Sequence, residues 1–316
     1  MGFILVRVLV TGGAGFIGSN LVISLVKEGC DVTVVDDLSM GMMKNLKDVQ
    51  GKIIFYKHDV CDHVFMHRVL DANFDYIYYL AAVASVVDSV ERPYITHQVN
   101  QESVVNSLEY LRINHYFPKK FLFISSAAVY GNYPELPKKE NGRVQPLTPY
   151  AVDKYASERF TIDYGTLYGL STVVVRFFNV FGPRQNPSSP YSGVLSIVTK
   201  CLLKSKKFIM YGDGSQTRDF VYVDDIVRAL IFISKKKETC GVYNIGYGEQ
   251  NKLLDVIRQY EKIAGKRLDI EFKDPRSGDI QESMADVTRL KKTGFVAKGG
   301  VENGLKKYWR YAESEF

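Results

Sequence analysis

The sequence contains few cysteines and no long apolar run. Its 4 cysteines are far apart and show no Cys-x-x-Cys pairing, which is typical of free thiols in a reducing compartment. The apolar stretch at residues 2–10 is interrupted by Arg7, is too short to cross a membrane and lacks a signal-peptide cleavage pattern. We therefore expect a cytoplasmic protein that has no membrane partner.

Repeats, low-complexity segments and a strong charge imbalance are absent as well. The net charge is +6, and the lysines fall in short scattered groups, which are typical of solvated surface. These groups could attract a phosphorylated small substrate, but no basic stripe interleaved with aromatic residues indicates a nucleic-acid partner. With 316 residues, 46% of them hydrophobic, the chain can form a nucleotide-binding domain and a smaller second domain.

Metal ligands offer one weak pattern. His63 and His67 have the spacing of one helix face and lie close to Cys61 and Asp62. A solvated helix face explains this pattern more simply, so we expect no metal site.

The most informative stretch is a glycine-rich turn near the start of the chain. The apolar run Val8–Val10 is followed by Thr11-Gly12-Gly13-Ala14-Gly15-Phe16-Ile17-Gly18, by an amphipathic segment and by a second apolar run that ends at Asp36. This order predicts a strand, a turn, a helix and a strand. Glycines at these positions let the backbone turn sharply, approach a pyrophosphate and pack the helix closely on the strand. The stretch therefore predicts a dinucleotide-binding site.

Asp36 indicates which dinucleotide binds. A carboxylate at the end of the second strand would accept hydrogen bonds from an adenosine ribose, and it would repel the 2'-phosphate of NADP. The sequence therefore predicts NAD as the cofactor.

Three further apolar runs, at residues 53–56, 76–80 and 121–124, predict more strands of the same sheet, the first of them buried. Asp59 follows the first of these runs, where strand ends face the cofactor crevice, and is either an adenine contact or an ordinary loop acid. The small residues Ala81 and Ala82 follow the second run and leave room for a ligand beside the backbone. Pro93 then opens a long predicted helix.

The run at 121–124 leads into Ser126, at the strand end where the nicotinamide is expected. A helix is predicted from Tyr150 to about Tyr168, with Thr148 as its N-cap, Pro149 at its first position and Gly169 at its end. The phenol of Tyr150 and the ammonium of Lys154 are four residues apart and share one helix face.

This pair predicts a proton acceptor. A free tyrosine has a pKa of ~10 and is a poor base at neutral pH, but a nearby ammonium and the positive ring of NAD⁺ both favour the phenolate. Lowering the pKa to near 7 requires ~4 kcal/mol, which two close positive charges in a partly desolvated crevice can supply. We therefore predict that Tyr150 takes a hydroxyl proton while hydride leaves the same carbon.

The composition changes near Asn179, where a loop rich in proline and serine begins. A helix is predicted at residues 191–204, a hairpin at Asp213-Gly214, a strand at 241–245 and a helix at 253–264. Asp224 and Asp225 are predicted to cap another helix. We predict a first domain at residues 1–178 and a second at 179–316, with the segment at about 220–246 packing back on the first.

Together these motifs resemble the extended short-chain dehydrogenase/reductase family and, within it, the UDP-sugar 4-epimerases. The likeness includes the tracts Tyr150–Lys154, Arg176–Gln185, Tyr211–Gly214, Arg218–Asp225 and Arg276–Asp279 and covers nearly the whole chain. It implies an α/β fold, with a Rossmann-type doubly wound parallel sheet that binds NAD and a smaller C-terminal α/β domain that binds a nucleotide sugar. It also implies a homodimer through the helices that start at Pro93 and Pro149.

The resemblance assigns roles residue by residue. It implies the catalytic residues Ser126, Tyr150 and Lys154. It implies the cofactor-binding residues Gly12, Gly15, Phe16, Ile17, Asp36, Asp37, Ser39, Gly41, Asp59, Val60, Leu80, Ala81, Ala82, Asn100, Tyr150, Lys154 and Phe178. It implies the substrate-binding residues Ser85, Ser126, Tyr150, Asn179, Val194, Tyr211, Arg218, Arg276, Asp279 and Ser283. Arginines suit such a substrate because guanidinium groups bind phosphate oxygens bidentately.

The resulting expectation is inversion at the fourth carbon of a UDP-hexose, through a 4-keto intermediate, for UDP-glucose and UDP-galactose. Ser283 matches a gate of the sugar pocket in this family, and a small residue there leaves room for an N-acetyl group. We therefore also expect turnover of UDP-N-acetylglucosamine and UDP-N-acetylgalactosamine.

Three alternatives stay open. The first is a dehydratase or a decarboxylase of the same family. Those enzymes carry acids in the tract that matches Ala127 and Ala128, and the two alanines count against this alternative because methyl groups cannot transfer protons. Arg184 could bind the carboxylate of UDP-glucuronate, which suggests a UDP-glucuronate epimerase. A non-catalytic NAD-binding protein could have the same fold, although Ser126, Tyr150 and Lys154 together argue against it.

Overall fold

The computed structural model describes residues 5–186, 193–275 and 280–315. The strands are β1 (Arg7–Thr11), β2 (Asp31–Val35), β3 (Ile53–Tyr56), β4 (Tyr76–Tyr79), β5 (Lys120–Ser126), β6 (Thr172–Phe177), β7 (Asn179–Phe181), β8 (Phe208–Tyr211), β9 (Thr217–Arg218), β10 (Phe220–Tyr222), β11 (Gly241–Ile245), β12 (Asn251–Lys252) and β13 (Ile270–Lys273). The α-helices are α1 (Phe16–Lys27), α2 (His63–Leu70), α3 (Val86–Glu91), α4 (Pro93–His97), α5 (Ser103–Ile113), α6 (Pro149–Tyr168), α7 (Val194–Lys204), α8 (Val223–Lys235), α9 (Leu253–Ala264), α10 (Thr288–Lys292) and α11 (Val301–Glu315).

A seven-stranded sheet in the order β11-β6-β5-β4-β1-β2-β3 is the largest in the described part of the chain. β1 lies between two parallel neighbours, so that Val10 is opposite Val34 on one side and Tyr78 on the other. The central strands of this sheet are continuous apolar runs because helices cover both faces of a parallel sheet. The predicted Rossmann-type doubly wound fold is confirmed.

One strand differs from its prediction. β3 was expected to be buried, but Ile54 is 47% and Tyr56 41% exposed. β3 is the last strand at one edge of the sheet, so only every second side chain faces the protein. An apolar run does not by itself reveal this edge position.

The long helix predicted from Pro93 is interrupted. It consists of α4, a π-helical turn at Gln98–Glu102 and α5. Such turns are rare and are frequently found at functional sites, and this one contains the predicted cofactor residue Asn100.

Helix α6 begins and ends as predicted. The Thr148 hydroxyl accepts a hydrogen bond from the Ala151 N–H at 3.3 Å, and Gly169 ends the helix in the left-handed conformation with φ 76°. Glu158 on this helix forms a buried bidentate ion pair with Arg176 on β6. The pair holds the helix at a defined position against the sheet.

The chain divides into two compact units. Unit 1 comprises Met1–Val129, Pro146–Arg176 and Leu230–Tyr243, and unit 2 comprises Tyr130–Gln145, Phe177–Ala229 and Asn244–Phe316. The segment Tyr130–Gln145, which we assigned to the first domain, therefore belongs to unit 2. One cause is the hydroxyl of Tyr130, which donates to Asn244 Oδ1 at 2.7 Å.

The predicted hairpin at Asp213-Gly214 is wrong. The strands on its two sides do not pair with each other, because β8 pairs with β13 and β9 pairs with β12. Gly214 does adopt a left-handed turn, with φ 82°, so the local signal is real but its partner strands come from elsewhere. None of the helices in the described ranges is long and apolar enough to cross a membrane.

Candidate functional site

The glycine turn in unit 1 has the shape that a pyrophosphate requires. Gly12 has φ 70°, and a Cβ there would lie 2.8 Å from the backbone nitrogen of Ala81. A Cβ on Gly18 would collide with the carbonyl oxygen of Gly12. Helix α1 begins directly after Gly15, without a side-chain cap on its first turn. Its first N–H groups, including those of the predicted residues Phe16 and Ile17, suit a phosphate group.

Asp36 is 7% exposed and is held by the turn itself. Its Oδ2 accepts a hydrogen bond from the Ala14 N–H at 2.9 Å, and its Oδ1 accepts one from the Leu38 N–H at 2.9 Å. Burial raises the pKa of this carboxyl, and these hydrogen bonds oppose the rise. The residue therefore fixes the turn to β2, and its predicted contact with a ribose stays a prediction.

The other predicted residues of this region surround Asp36. A Cβ on Gly41 would lie 2.6 Å from Asp36 Oδ1, so glycine is needed there for packing. Asp37 and Ser39 are exposed and hydrogen-bond to each other at 2.7 Å. Asp59 is also exposed and accepts the N–H of Cys61 at 2.9 Å, whereas its neighbour Val60 is buried.

Asn100 connects the loop after β4 to helix α6. Its side-chain amide exchanges two hydrogen bonds with the backbone of Val83, at 2.9 and 3.2 Å. Its main-chain carbonyl accepts a hydrogen bond from the hydroxyl of Ser157 at 2.9 Å. Thr11, also buried, accepts the N–H groups of Leu80 and Ala81 through its hydroxyl. Sequence reasoning missed Thr11 and Ser157, since neither has a spacing that marks it. The loop that carries Ala81 and Ala82 is therefore fixed at both ends.

Lys154 is 2% exposed and lies beneath the end of β5. Its Nζ donates to the carbonyl of Ile124 at 3.0 Å and is 4.9 Å from the centre of the Phe123 ring. Burial lowers the pKa of Lys154 to about 7, and the neighbouring Asp153 opposes this shift. Asp153 in turn contacts His97 Nδ1 at 2.8 Å.

Tyr150 occupies the first turn of α6, on the same face as Lys154. Burial raises the pKa of its phenol, and a hydrogen bond with the Ser126 hydroxyl lowers it. Ser126 Oγ also accepts the Ala128 N–H at 3.1 Å. In the protein without NAD, burial outweighs this hydrogen bond, so the pKa of Tyr150 lies above its ordinary value. The predicted phenolate therefore depends on the positive ring of NAD⁺ as well as on the ammonium of Lys154, and it stays a prediction.

Ser85, a predicted substrate contact, has a structural partner. It is 1% exposed and caps helix α3, where its hydroxyl accepts the Asp88 N–H at 2.9 Å. His67, from the weak metal pattern, has other partners. His67 contacts Asn106 at 3.0 Å and stacks on Tyr110, and the described residues include no group of three potential metal ligands.

Unit 2 contains the remaining described substrate candidates. Asn179 begins β7, Arg218 pairs with Asn251 between β9 and β12, and Val194 begins α7. Asn179, Arg218 and Val194 are half-buried, whereas Phe178 is buried and its N–H donates to the carbonyl of Ile245. Arg276 and Asp279, predicted to bind diphosphate and ribose, lie outside the described residues.

Tyr211 and Ser283 complete this set. Tyr211 ends β8 and lines a cavity of about 820 Å³, together with Gln216, Phe272 and Gln281. Ser283 is 8% exposed. The residue after it, Met284, accepts the N–H of Lys138 at 2.8 Å through its carbonyl, so the backbone beside the predicted gate is held in place.

A model of the NAD dependent epimerase/dehydratase family matches residues 8–246. The chain belongs to this family. The family's cofactor is NAD, and the glycine turn, which has no room for side chains, fits that cofactor. The predicted kinship with the UDP-sugar 4-epimerases of the extended short-chain dehydrogenase/reductases is also confirmed.

Three solved structures are similar over almost the whole chain. The UDP-glucose 4-epimerase of Thermotoga maritima, solved with UDP-glucose, is 36% identical with a TM-score of 0.92, covering 98% of this chain and 99% of its own. The UDP-N-acetylglucosamine 4-epimerase of Methanobrevibacter ruminantium, in complex with UDP-N-acetylmuramic acid, is 34% identical with a TM-score of 0.93 and 99% coverage of both chains. The UDP-glucose 4-epimerase of Thermus thermophilus, in complex with NAD, is 34% identical with a TM-score of 0.90, covering 98% and 100%.

A relative with a different activity is similar too. The UDP-N-acetyl-alpha-D-glucosaminuronate decarboxylase of Bacillus cytotoxicus is 32% identical in an alignment of 312 positions that covers 95% of each chain. Similarity of this degree therefore occurs with both isomerases and a decarboxylase.

Proposed function

We propose that this protein is an NAD-dependent 4-epimerase of UDP-hexoses. The observation that carries the proposal is that Ser126, Tyr150 and Lys154 are grouped at the carboxyl end of β5, in the same unit as a glycine turn that fits a dinucleotide. The similar UDP-sugar 4-epimerases support the same reaction class.

Each residue of the group has a distinct role. NAD, when bound, supplies the acceptor for the hydride of the sugar's fourth carbon and the positive charge that favours a phenolate. Tyr150 Oη takes the proton of the 4-hydroxyl and later returns it. Ser126 hydrogen-bonds Tyr150 and orients the 4-hydroxyl of the sugar. Lys154, on the Tyr150 face of α6, supplies an amino group whose protonated form favours the phenolate.

In unit 2 we propose that Asn179 and Arg218 hold the diphosphate. An amide and a guanidinium offer N–H donors to phosphate oxygens, and Arg218 Nη1 already donates to the carbonyl of Thr217 at 2.8 Å, which limits its rotation. Tyr211, in its cavity, is the proposed contact of the nucleotide base.

The lyase alternative has less support. Ala127 and Ala128 stand where dehydration or decarboxylation would require a proton-transferring acid. For UDP-glucuronate, Arg184 is the relevant residue, and its guanidinium lies 5.9 Å from the centre of the Tyr311 ring. Incubation with a panel of UDP-sugars and chromatography of the products distinguishes these reactions. Loss of water or carbon dioxide, rather than an epimeric product, would overturn the proposal.

We expect the protein to bind NAD at least about tenfold more tightly than NADP, because the Asp36 carboxylate would repel a 2'-phosphate. Replacement of Asp36 by asparagine should relax this preference. Asparagine keeps one acceptor oxygen, for the N–H of either Ala14 or Leu38, whereas alanine keeps neither, so Asp36→Asn separates charge from the structural role better than Asp36→Ala. Calorimetry with both dinucleotides tests this, and equal affinity in the unmutated protein would contradict it.

We also propose that Ser283 admits N-acetylated sugars, so that all four UDP-hexoses are substrates. Ser283→Tyr should then lower kcat/KM for the acetylated pair by about tenfold or more relative to the plain pair, since overpacking costs ~1–3 kcal/mol. The backbone after Ser283 resists displacement by a larger side chain, because the carbonyl of Met284 accepts the N–H of Lys138 and the N–H of Ala285 donates to Asp219.

Rates on all four sugars test this gate, with Ser283→Ala as the control that keeps the position small. No activity of the starting protein on either acetylated sugar would show that Ser283 does not act as proposed.

Finally, we propose a homodimer. Several large apolar side chains on the neighbouring helices α3, α4 and α6 are exposed, among them Val90 at 62%, Tyr94 at 71% and Val152 at 50%. Exposed apolar residues in such numbers are typical of an interaction surface.

A further inference from the structure

Asp219 is a completely buried carboxylate in unit 2 that sequence reasoning did not single out. Its Oδ1 accepts the N–H of Tyr247 at 2.8 Å, and its Oδ2 accepts those of Gly248 at 2.9 Å and Ala285 at 3.1 Å. Within the described ranges it forms no ion pair, so backbone N–H groups alone stabilise its charge. Burial raises the pKa of this carboxyl to about 6, although the three hydrogen bonds oppose the rise.

The segments that Asp219 joins are those that carry the proposed substrate residues. Asp219 directly follows Arg218, and its carbonyl accepts the N–H of Asn179 at 3.0 Å. Ala285, which donates to its carboxylate, is two residues after Ser283. One side chain and its own carbonyl therefore connect three stretches that are distant in sequence.

The space around the carboxylate is also restricted. A Cβ on Gly246 would lie 2.6 Å from Asp219 Oδ2, so only glycine fits there without displacing the carboxylate. An asparagine at position 219 would have one acceptor oxygen instead of two, and its NH₂ would face backbone donors. The arrangement is thus specific for an ionised carboxylate.

We propose that Asp219 is a positioning residue that holds Asn179, Arg218 and the Ser283 loop in the arrangement that binds the substrate diphosphate. The inference rests on the proposed function, and Asp219 itself does not touch the substrate.

The chain offers a matched control in Asp225, another buried carboxylate of unit 2. It accepts the N–H groups of Lys298 and Gly299 at 2.9 and 2.7 Å and the hydroxyl of Tyr247 at 2.9 Å. None of these partners is a proposed substrate residue. Asp225 also pairs with Arg228 at 2.5 Å, and among the described residues it shares only Tyr247 with Asp219, through the hydroxyl of that residue rather than its N–H. Loss of Asp225 should therefore weaken the packing of unit 2 while the N–H contacts of Asp219 remain.

The test compares Asp219→Asn and Asp225→Asn in the NAD-containing protein. For each variant, UDP affinity is measured by calorimetry, KM and kcat with UDP-glucose, and Tm. We expect Asp219→Asn to weaken UDP binding and to raise KM by at least about tenfold. The value of kcat should change by less than about threefold, because displacing Asn179 and Arg218 weakens diphosphate binding and leaves the proton-transfer group in place. Asp225→Asn should lower Tm and leave KM unchanged.

Gly246→Ala is the second variant, since it displaces the same carboxylate without removing its charge, and it should raise KM in the same way. Wild-type UDP affinity in Asp219→Asn, or an equal rise of KM in Asp225→Asn, would overturn the positioning role alone. An unmutated protein that does not bind UDP would instead overturn the proposed function, and this role with it.

Discussion

Replacing Tyr150 with phenylalanine should lower kcat by ~10²–10⁴-fold, the usual contribution of a positioned proton acceptor. The change removes one oxygen and little volume, so binding of NAD and of UDP-sugars should stay close to that of the unmutated protein. We expect a large effect because phenylalanine leaves no ionisable group at this position to take the proton of the 4-hydroxyl.

Tyr155→Phe provides the matched control for this experiment. It makes the same chemical change on the same helix, five residues further along, where the side chain leaves the face shared by Tyr150 and Lys154. Its kcat should equal that of the unmutated protein. A Tyr150→Phe variant that keeps more than a few per cent of the wild-type rate would show that the phenol is not the proton acceptor.

Local signals explain which parts of the fold were predicted correctly. The bounds of α6 follow from Thr148, Pro149 and Gly169, each of which acts on the backbone within a few residues of itself. The turn at Gly214 was also recognised, but the pairing of its flanking strands was not. β8 pairs with β13, about sixty residues further along the chain, and no local pattern encodes such a partner.

The candidate site divides along the same line. The glycine turn could be predicted from the sequence, because close backbone contacts at Gly12 and Gly18 leave no room for a Cβ. The glycines that these contacts require form a recognisable spacing. Asp219 could not, because its partners at positions 247, 248 and 285 become neighbours only in the folded chain. The pKa of Tyr150 in the NAD-bound protein stays a prediction, because burial raises it in the protein alone and the positive charge of NAD⁺ is part of the predicted effect.

Replacing Lys154 with methionine should change how the stability of the NAD-free protein depends on pH. Burial lowers the pKa of Lys154 from 10.5 in its ordinary state to about 7 in the folded chain. Between these values the folded state binds fewer protons than the unfolded state, so stability rises with pH by up to ~1.4 kcal/mol per unit. Below the folded pKa the chain holds a buried ammonium at its full cost, and methionine, of similar length, removes that cost.

Urea unfolding of both proteins between about pH 6 and pH 9 measures this dependence. The variant should be the more stable protein near pH 6, and the wild type should recover ~2–3 kcal/mol of the difference between about pH 7 and pH 9. Lys204→Met, at an exposed position in the last turn of α7, is the control and should follow the wild type throughout. Subtracting the free energy of unfolding of the wild type from that of the variant at each pH cancels the titration of other groups. Parallel curves for Lys154→Met and the wild type would show that water still reaches this ammonium, and the charge beside Tyr150 would then be present at neutral pH without help from the cofactor.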